Sequence, residues 1–184
     1  MKVFYDKENN RLVYIGKAAT SEYWDEHWLS NKDLKQIVTR GSRFVVKITK
    51  KYLRKGSKIL EGGCGIGDKV YTLQKAGYDA YGVDYAETTV KRVKELFPDL
   101  KIRVADVRRL PFEDGFFDGY WSLGVIEHFY EGYDEIALEM KRVLRKGGIL
   151  FLTCPVMSPL RRLKAKMGLY PLFKEEKRNF ISLF

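Results

Sequence analysis

Cysteine is nearly absent from this chain: two residues, Cys64 and Cys154, stand far apart and form neither a disulfide framework nor a paired metal-ligand spacing. Histidine is as scarce. With only His27 and His128, and no CxxC or HExxH, no zinc site is expected. Long apolar runs are missing too. The longest, GGILFLTCPVM, is interrupted by glycine and proline and falls short of the ~20 residues a membrane-spanning helix needs. The start, MKVFYDKENN, lacks the apolar centre of a signal peptide. These absences predict a protein of a reducing, cytoplasmic compartment, with no membrane partner.

Acidic residues are sparse at both ends. Residues 1–60 carry 14 Lys and Arg against 6 acids, 61–160 carry 13 against 16, and 161–184 carry 7 against 2, so the net charge of +10 lies in the termini. Basic ends can track the phosphates of a nucleic acid or of an anionic lipid surface. They can also be solvated, lysine-rich helix faces. A chain of 184 residues buries roughly 70% of its unfolded surface, enough for one core without covalent staples.

What is present in excess, locally, is glycine. EGGCGIGD, Glu61 to Asp68, has Gly62, Gly63, Gly65 and Gly67 directly after the apolar SKIL. Glycine weakens helices and strands alike, so this stretch must let a backbone turn tightly or approach something closely. A dinucleotide fingerprint, GxGxxG, needs a third glycine where this chain has Asp68. The spacing is instead ExGxGxG. A carboxylate at the end of the first strand repels a pyrophosphate and favours a cationic or amino-bearing ligand.

The surrounding pattern predicts an α/β fold. Short apolar runs at SKILE, DAYGVD, KIRVAD, FFDGYWSLG and GGILFLTCP alternate with amphipathic stretches near Lys69–Ala76, Ala86–Leu96 and Tyr133–Leu144. This is the signature of a Rossmann-like, mostly parallel sheet with helices on both faces, whose ligand lies beyond the strands' carboxyl ends. Ahead of it, KVFYD and RLVYIG flanking KENN predict a hairpin. Ser21 is expected to cap a helix over SEYWDEHWLS, and a longer helix is expected from Asn31 to Leu53, with Gly41 its weak point. We divide the chain into a hairpin and helical cap (1–56), a Rossmann-like core (57–157) and a basic, aromatic tail (158–184), all in one domain.

Asp84 closes the second core strand, nineteen positions after Gly65, where a carboxylate can accept hydrogen bonds from both hydroxyls of a ribose. Asp106 closes the third, placed to accept from an exocyclic adenine amino group. Each acid could also simply cap the helix or turn that follows. Three acids beyond three strand ends together suit an adenosine with a positively charged tail.

With these residues the chain resembles a class I S-adenosylmethionine-dependent methyltransferase of the type acting on small molecules. KILEGGCGIGD, YGVDYAETTV, VADVRRLPFEDGFFDGYWSLGVIEHF and MKRVLRKGGILFLTCP are similar to the family's successive motifs, in order and separation. The resemblance implies S-adenosylmethionine as cofactor, with Gly62, Gly63, Gly65 and Gly67 forming the loop and Glu61 orienting it or the donor's amino group. Asp84 and Tyr85 would hold the ribose side, Asp106 and Val107 the adenine, and Ser122 the methionine tail. His128 is the candidate base. It could equally begin a helix and serve structure.

Tyr23, Trp24 and Trp28 read as a lid over the donor or as an amphipathic helix docked on the sheet, with His27 part of the same helix. The acceptor stays open. The segment after the fourth strand is SLGVIEH, unlike the [DN]PP[YF] of amino-group methylases, and Cys154-Pro155 does not fit a cytosine C5 nucleophile. A small-molecule acceptor is favoured. A nucleic-acid methyltransferase and a domain that binds the donor without turnover remain alternatives. Similar enzymes continue past the fifth strand with a helix and two antiparallel strands, so the C-terminal end reads as incomplete. Further chain, the N-terminal hairpin or a partner subunit in a homodimer is expected to cover the open sheet edge.

Overall fold

The apolar runs on either side of KENN pair as predicted: β1 (Lys2–Asp6) and β2 (Arg11–Ile15) run antiparallel from Lys2 opposite Ile15 to Asp6 opposite Arg11. Asp6 fixes the turn by accepting hydrogen bonds from the Asn9 backbone N–H at 3.1 Å and from Arg11 Nε at 2.9 Å. The computed structural model describes residues 2–30, 33–130, 132–174 and 180–183.

Three helices follow. The first, α1 (Ser21–Leu29), is capped by Thr20, whose side chain accepts from the Tyr23 N–H. Ser21 is therefore not the cap. Its hydroxyl instead donates to the Tyr85 carbonyl at 2.9 Å. The helix expected from Asn31 to Leu53 is two helices, α2 (Leu34–Arg40) and α3 (Arg43–Tyr52); its first two positions, Asn31 and Lys32, lie outside the described residues. The chain breaks at Gly41, where φ is +62° and an added Cβ would sit 2.0 Å from Thr72 Oγ1. Asp33 starts α2 by accepting from the Gln36 N–H. The apolar stripe of α3 still docks on the core through Val45, with Leu53 just beyond its end.

From here strands and helices alternate: β3 (Lys58–Gly62), α4 (Asp68–Lys75), β4 (Asp79–Asp84), α5 (Glu87–Leu96), β5 (Ile102–Val104), β6 (Phe117–Leu123), a 3-10 turn over Ile126–His128, α6 (Asp134–Val143) and β7 (Leu144–Thr153). The five strands form one parallel sheet in the order β5-β4-β3-β6-β7. Side chains alternate across a strand, so neighbouring residues enter different cores. Ile59 joins Val70, Leu73, Val90 and Val93 under α4 and α5; Leu60 joins Tyr120, Ile136 and Met140 under α6.

After β7 come α7 (Pro159–Lys166) and β8 (Phe180–Leu183), which pairs antiparallel with β2 to make a second sheet, β1-β2-β8. The hairpin thus does not cover the edge of the parallel sheet. Along β7, Leu150 and Leu152 remain 43% and 45% exposed. Among the described residues no helix is long and apolar enough to cross a membrane.

Candidate functional site

All five parallel strands end on one rim, and on that rim lies a cavity of about 370 Å³. A wider depression of about 630 Å³ sits at the opposite rim, between Arg54, Lys55 and Arg145, where the strands begin. Ligands of parallel sheets bind at the carboxyl ends, so the smaller cavity is the candidate site. It brings together Glu61, Gly63, Asp84, Tyr85, Asp106, Val107 and His128.

The glycine loop bends between β3 and α4. Gly67 takes φ +70° as it starts α4, a conformation an L side chain rarely adopts, and its N–H donates to the Cys64 carbonyl at 2.8 Å. Gly65 supplies its N–H to Asp84 Oδ2 at 2.7 Å, and a Cβ there would lie 2.7 Å from the Trp28 ring. The second oxygen, Asp84 Oδ1, accepts from the Ala86 N–H at 2.9 Å. Burial pushes the Asp84 carboxyl above the usual range, against the pull of these backbone hydrogen bonds.

Glu61 ends 2% exposed at the base of the cavity. Its Oε1 lies 3.9 Å from Lys69 Nζ, which stands closer, at 2.9 Å, to Asp68. Its Oε2 has no hydrogen-bond partner among the described residues. Burial is the main cause of a pKa raised to about 8, only partly offset by Lys69. Asp106 differs: burial raises its carboxyl, but Arg108 pairs with both of its oxygens, and these bonds together hold it below the usual range. Cys64 is buried, and burial holds its thiol well above the ordinary range, so it serves the loop as a small residue.

Four predicted residues do not line the cavity. Gly65 lies against the Trp28 ring, and Gly67 lies against Leu100 and Ile102. Gly62 lies against Tyr120, whose hydroxyl would be 2.0 Å from an added Cβ. Ser122 is fully buried one residue before β6 ends, and the wall beyond it is made by Leu123, Gly124 and Val125.

The lid over this rim is α1. Trp24 and Trp28 both line the cavity, and their rings stack 6.2 Å apart at 26°. Trp24 also meets His128 edge to face at 4.8 Å. Sequence reasoning missed what holds the lid down. No side chain of α5 caps its own N-terminus; Asp25 of α1 does so across the fold, accepting from the Thr89 N–H and hydroxyl at 2.7 Å and from the Thr88 N–H at 3.2 Å. The Tyr85 hydroxyl donates to the Ala19 carbonyl and completes the clasp. No local spacing signals a cap supplied from so far away in the chain.

A parallel sheet whose first core strand runs into a glycine loop and whose next strand ends in a buried acid defines the Rossmann-like class of nucleoside-binding folds. Comparison with known proteins narrows this. A family profile described as a methyltransferase domain matches residues 60–152, and the chain belongs to this family, the class I S-adenosylmethionine-dependent methyltransferases. The 2-methyl-6-phytyl-1,4-hydroquinone methyltransferase of Synechocystis is 37% identical over 99 residues, 52% of this chain and 31% of that protein. The demethylmenaquinone methyltransferase of Staphylococcus aureus is 32% identical over 133 residues, 66% of this chain and 54% of that protein. Among solved structures, the PH0226 protein of Pyrococcus horikoshii superposes with a TM-score of 0.56 at 25% identity, covering 78% of this chain and 70% of that one. The matched region spans about half or less of the length of these curated relatives.

Proposed function

We propose that this chain binds S-adenosylmethionine in the rim cavity and transfers its methyl group to a small aromatic acceptor presenting an oxygen, nitrogen or carbon nucleophile. The observation that carries the donor reading is the buried Glu61 carboxylate, with one oxygen unpartnered among the described residues, sharing a cavity with Asp84. An anionic ligand would meet the Asp84 carboxylate and would further disfavour ionisation of Glu61, whose pKa burial already raises to about 8. A ligand with an ammonium and a ribose diol offers each of them a donor. When bound, S-adenosylmethionine supplies an electrophilic methyl on a sulfonium.

The chain's own residues divide the remaining work. Each Asp84 oxygen already accepts one backbone N–H and keeps a lone pair for a hydroxyl. Gly63 leaves the loop open, and Ala105 and Val107 offer apolar wall to a purine. Trp24 and Trp28 exclude water and present ring faces to a cation. His128 stands just beyond the end of β6 to receive a proton from an acceptor hydroxyl. The acceptor class rests on the aromatic wall of Trp24, Trp28 and Phe129, and on relatives whose names specify a hydroquinone and a demethylmenaquinone.

Calorimetric titration with S-adenosylmethionine tests the donor. Asp84→Ala should weaken binding by about 1–3 kcal/mol, since the hydroxyls it accepts from lose their partner; unchanged affinity would refute the assignment. In the same series, His128→Ala should retain donor affinity and lose transfer of labelled methyl to a hydroquinone acceptor. Full transfer would return His128 to a purely structural role.

A further inference from the structure

The C-terminal helix carries a surface that methyl transfer does not use. Ser158 caps α7, its side chain accepting from the Arg161 N–H, and Pro159 opens the first turn. One residue of the helix, Ala165, is buried, and it packs with Leu12 of β2 and with Met157. At about 100° per residue, Leu160, Leu163 and Met167 fall within roughly 60° of arc on the side opposite Ala165. They are 60%, 54% and 64% exposed. Val156 before the helix and Leu169 after it add 67% and 59% exposed apolar side chains.

Charge frames this stripe. Lys164 flanks it on one side and Lys166 on the other, with Arg162 further round, all exposed. From Met140 to Lys174 the sequence contains no acidic residue.

We infer that α7 is a docking surface for an anionic lipid bilayer, lying in the interface with Leu160, Leu163 and Met167 inserted and the flanking lysines on headgroup phosphates. A stripe of exposed aliphatic side chains bordered by cations is the arrangement of interfacial helices, whose binding sums apolar burial and attraction to anionic lipid. A single-stranded nucleic acid would call for aromatic stacking platforms, and α7 has none. The inference concerns a helix that lies on a membrane, so it is compatible with the absence of a spanning helix among the described residues. It does not depend on the identity of the donor or acceptor.

Cosedimentation with vesicles tests it, using the whole chain. The chain should pellet with phosphatidylglycerol–phosphatidylcholine vesicles and remain in the supernatant with phosphatidylcholine alone or at high salt. Lys164→Gln and Lys166→Gln should each lower partitioning about fivefold. Leu163→Gln should lower it at least as much, with the thermal unfolding midpoint unchanged as the control for folding. Absence of anionic-vesicle binding, or binding that Leu163→Gln leaves intact, would overturn the inference. So would a dimer in light scattering that Leu163→Gln dissociates, since a second copy would then occupy the stripe. RNA binding that needs the lysines, without vesicle binding, would reassign the cations to nucleic acid.

Discussion

At Glu61, burial and charge are opposed within one side chain. Because its native pKa is raised to about 8 from 4.5, the folded chain retains a proton that the unfolded chain releases. Its contribution to stability is fully present below about pH 4.5 and is lost as pH rises toward 8. Urea unfolding of the ligand-free protein between pH 5 and 8 should show this decline, and Glu61→Gln should flatten it. A profile that the substitution leaves unaltered would show that Glu61 is ionised in the native state. Gly62 offers a second test at this scale. Gly62→Ala places a methyl against the Tyr120 hydroxyl and should cost about 1–3 kcal/mol, as overpacking does. Tyr120→Phe removes a hydroxyl that has no partner among the described residues, and with it the nearest of the clashes, leaving the ring's Cζ 2.7 Å from the added Cβ. Denaturant melts of the two single variants and the double should therefore be non-additive, the double being more stable than the sum of the singles predicts.

At the scale of elements, the lid and α5 share one carboxylate. Partial burial raises the Asp25 carboxyl, but hydrogen bonds from Thr89 and Thr88 outweigh it and hold the group below the usual carboxylate range. Asp25→Ala should then cost about 0.5–2 kcal/mol of stability, the range for a lost N-cap, and free α1 as well. Hydrogen exchange at the Thr88 and Thr89 amides should accelerate together with exchange in α1. If α1 stays protected while the α5 amides open, other contacts hold the lid. The α1 and α2–α3 segment is also where sequence reasoning was weakest. Thr20 caps α1 while the Ser21 hydroxyl is engaged by the Tyr85 carbonyl, and the helix breaks at Gly41, where φ is +62° and Thr72 leaves no room for a Cβ. Both sites meet residues distant in sequence, although Gly41 was already the weak point of the expected helix. The core strands and α4 to α6 were legible because their pattern repeats: a buried parallel strand followed by an amphipathic helix carries its own period. Among the residues that line the cavity, Glu61, Gly63 and Asp84 stood out from their spacing in the sequence. The Asp106–Arg108 closure and the trans-cap by Asp25 were not, since neither leaves a local pattern.

At the scale of the whole molecule, the uneven charge seen in composition becomes a division of surfaces. The acids of the middle segment include the three on the cavity rim, and the cations of the C-terminal segment include those around α7. The N-terminal hairpin, one of the expected covers for the open sheet edge, joins β8 in a sheet of its own. The strand order also separates the centre of the sheet from its margins. β3, which carries Glu61, is the middle of five strands, and the edges are β5 and β7. At about 4.8 Å per strand, anything added beyond β7 begins roughly 14 Å from Glu61's strand and roughly 19 Å from Asp84's. The Glu61 and Asp84 part of the cavity is thereby set back from the margin: an exposed charge on whatever occupies the β7 edge lies beyond the ~8 Å screening length of physiological salt and acts on these two acids only weakly.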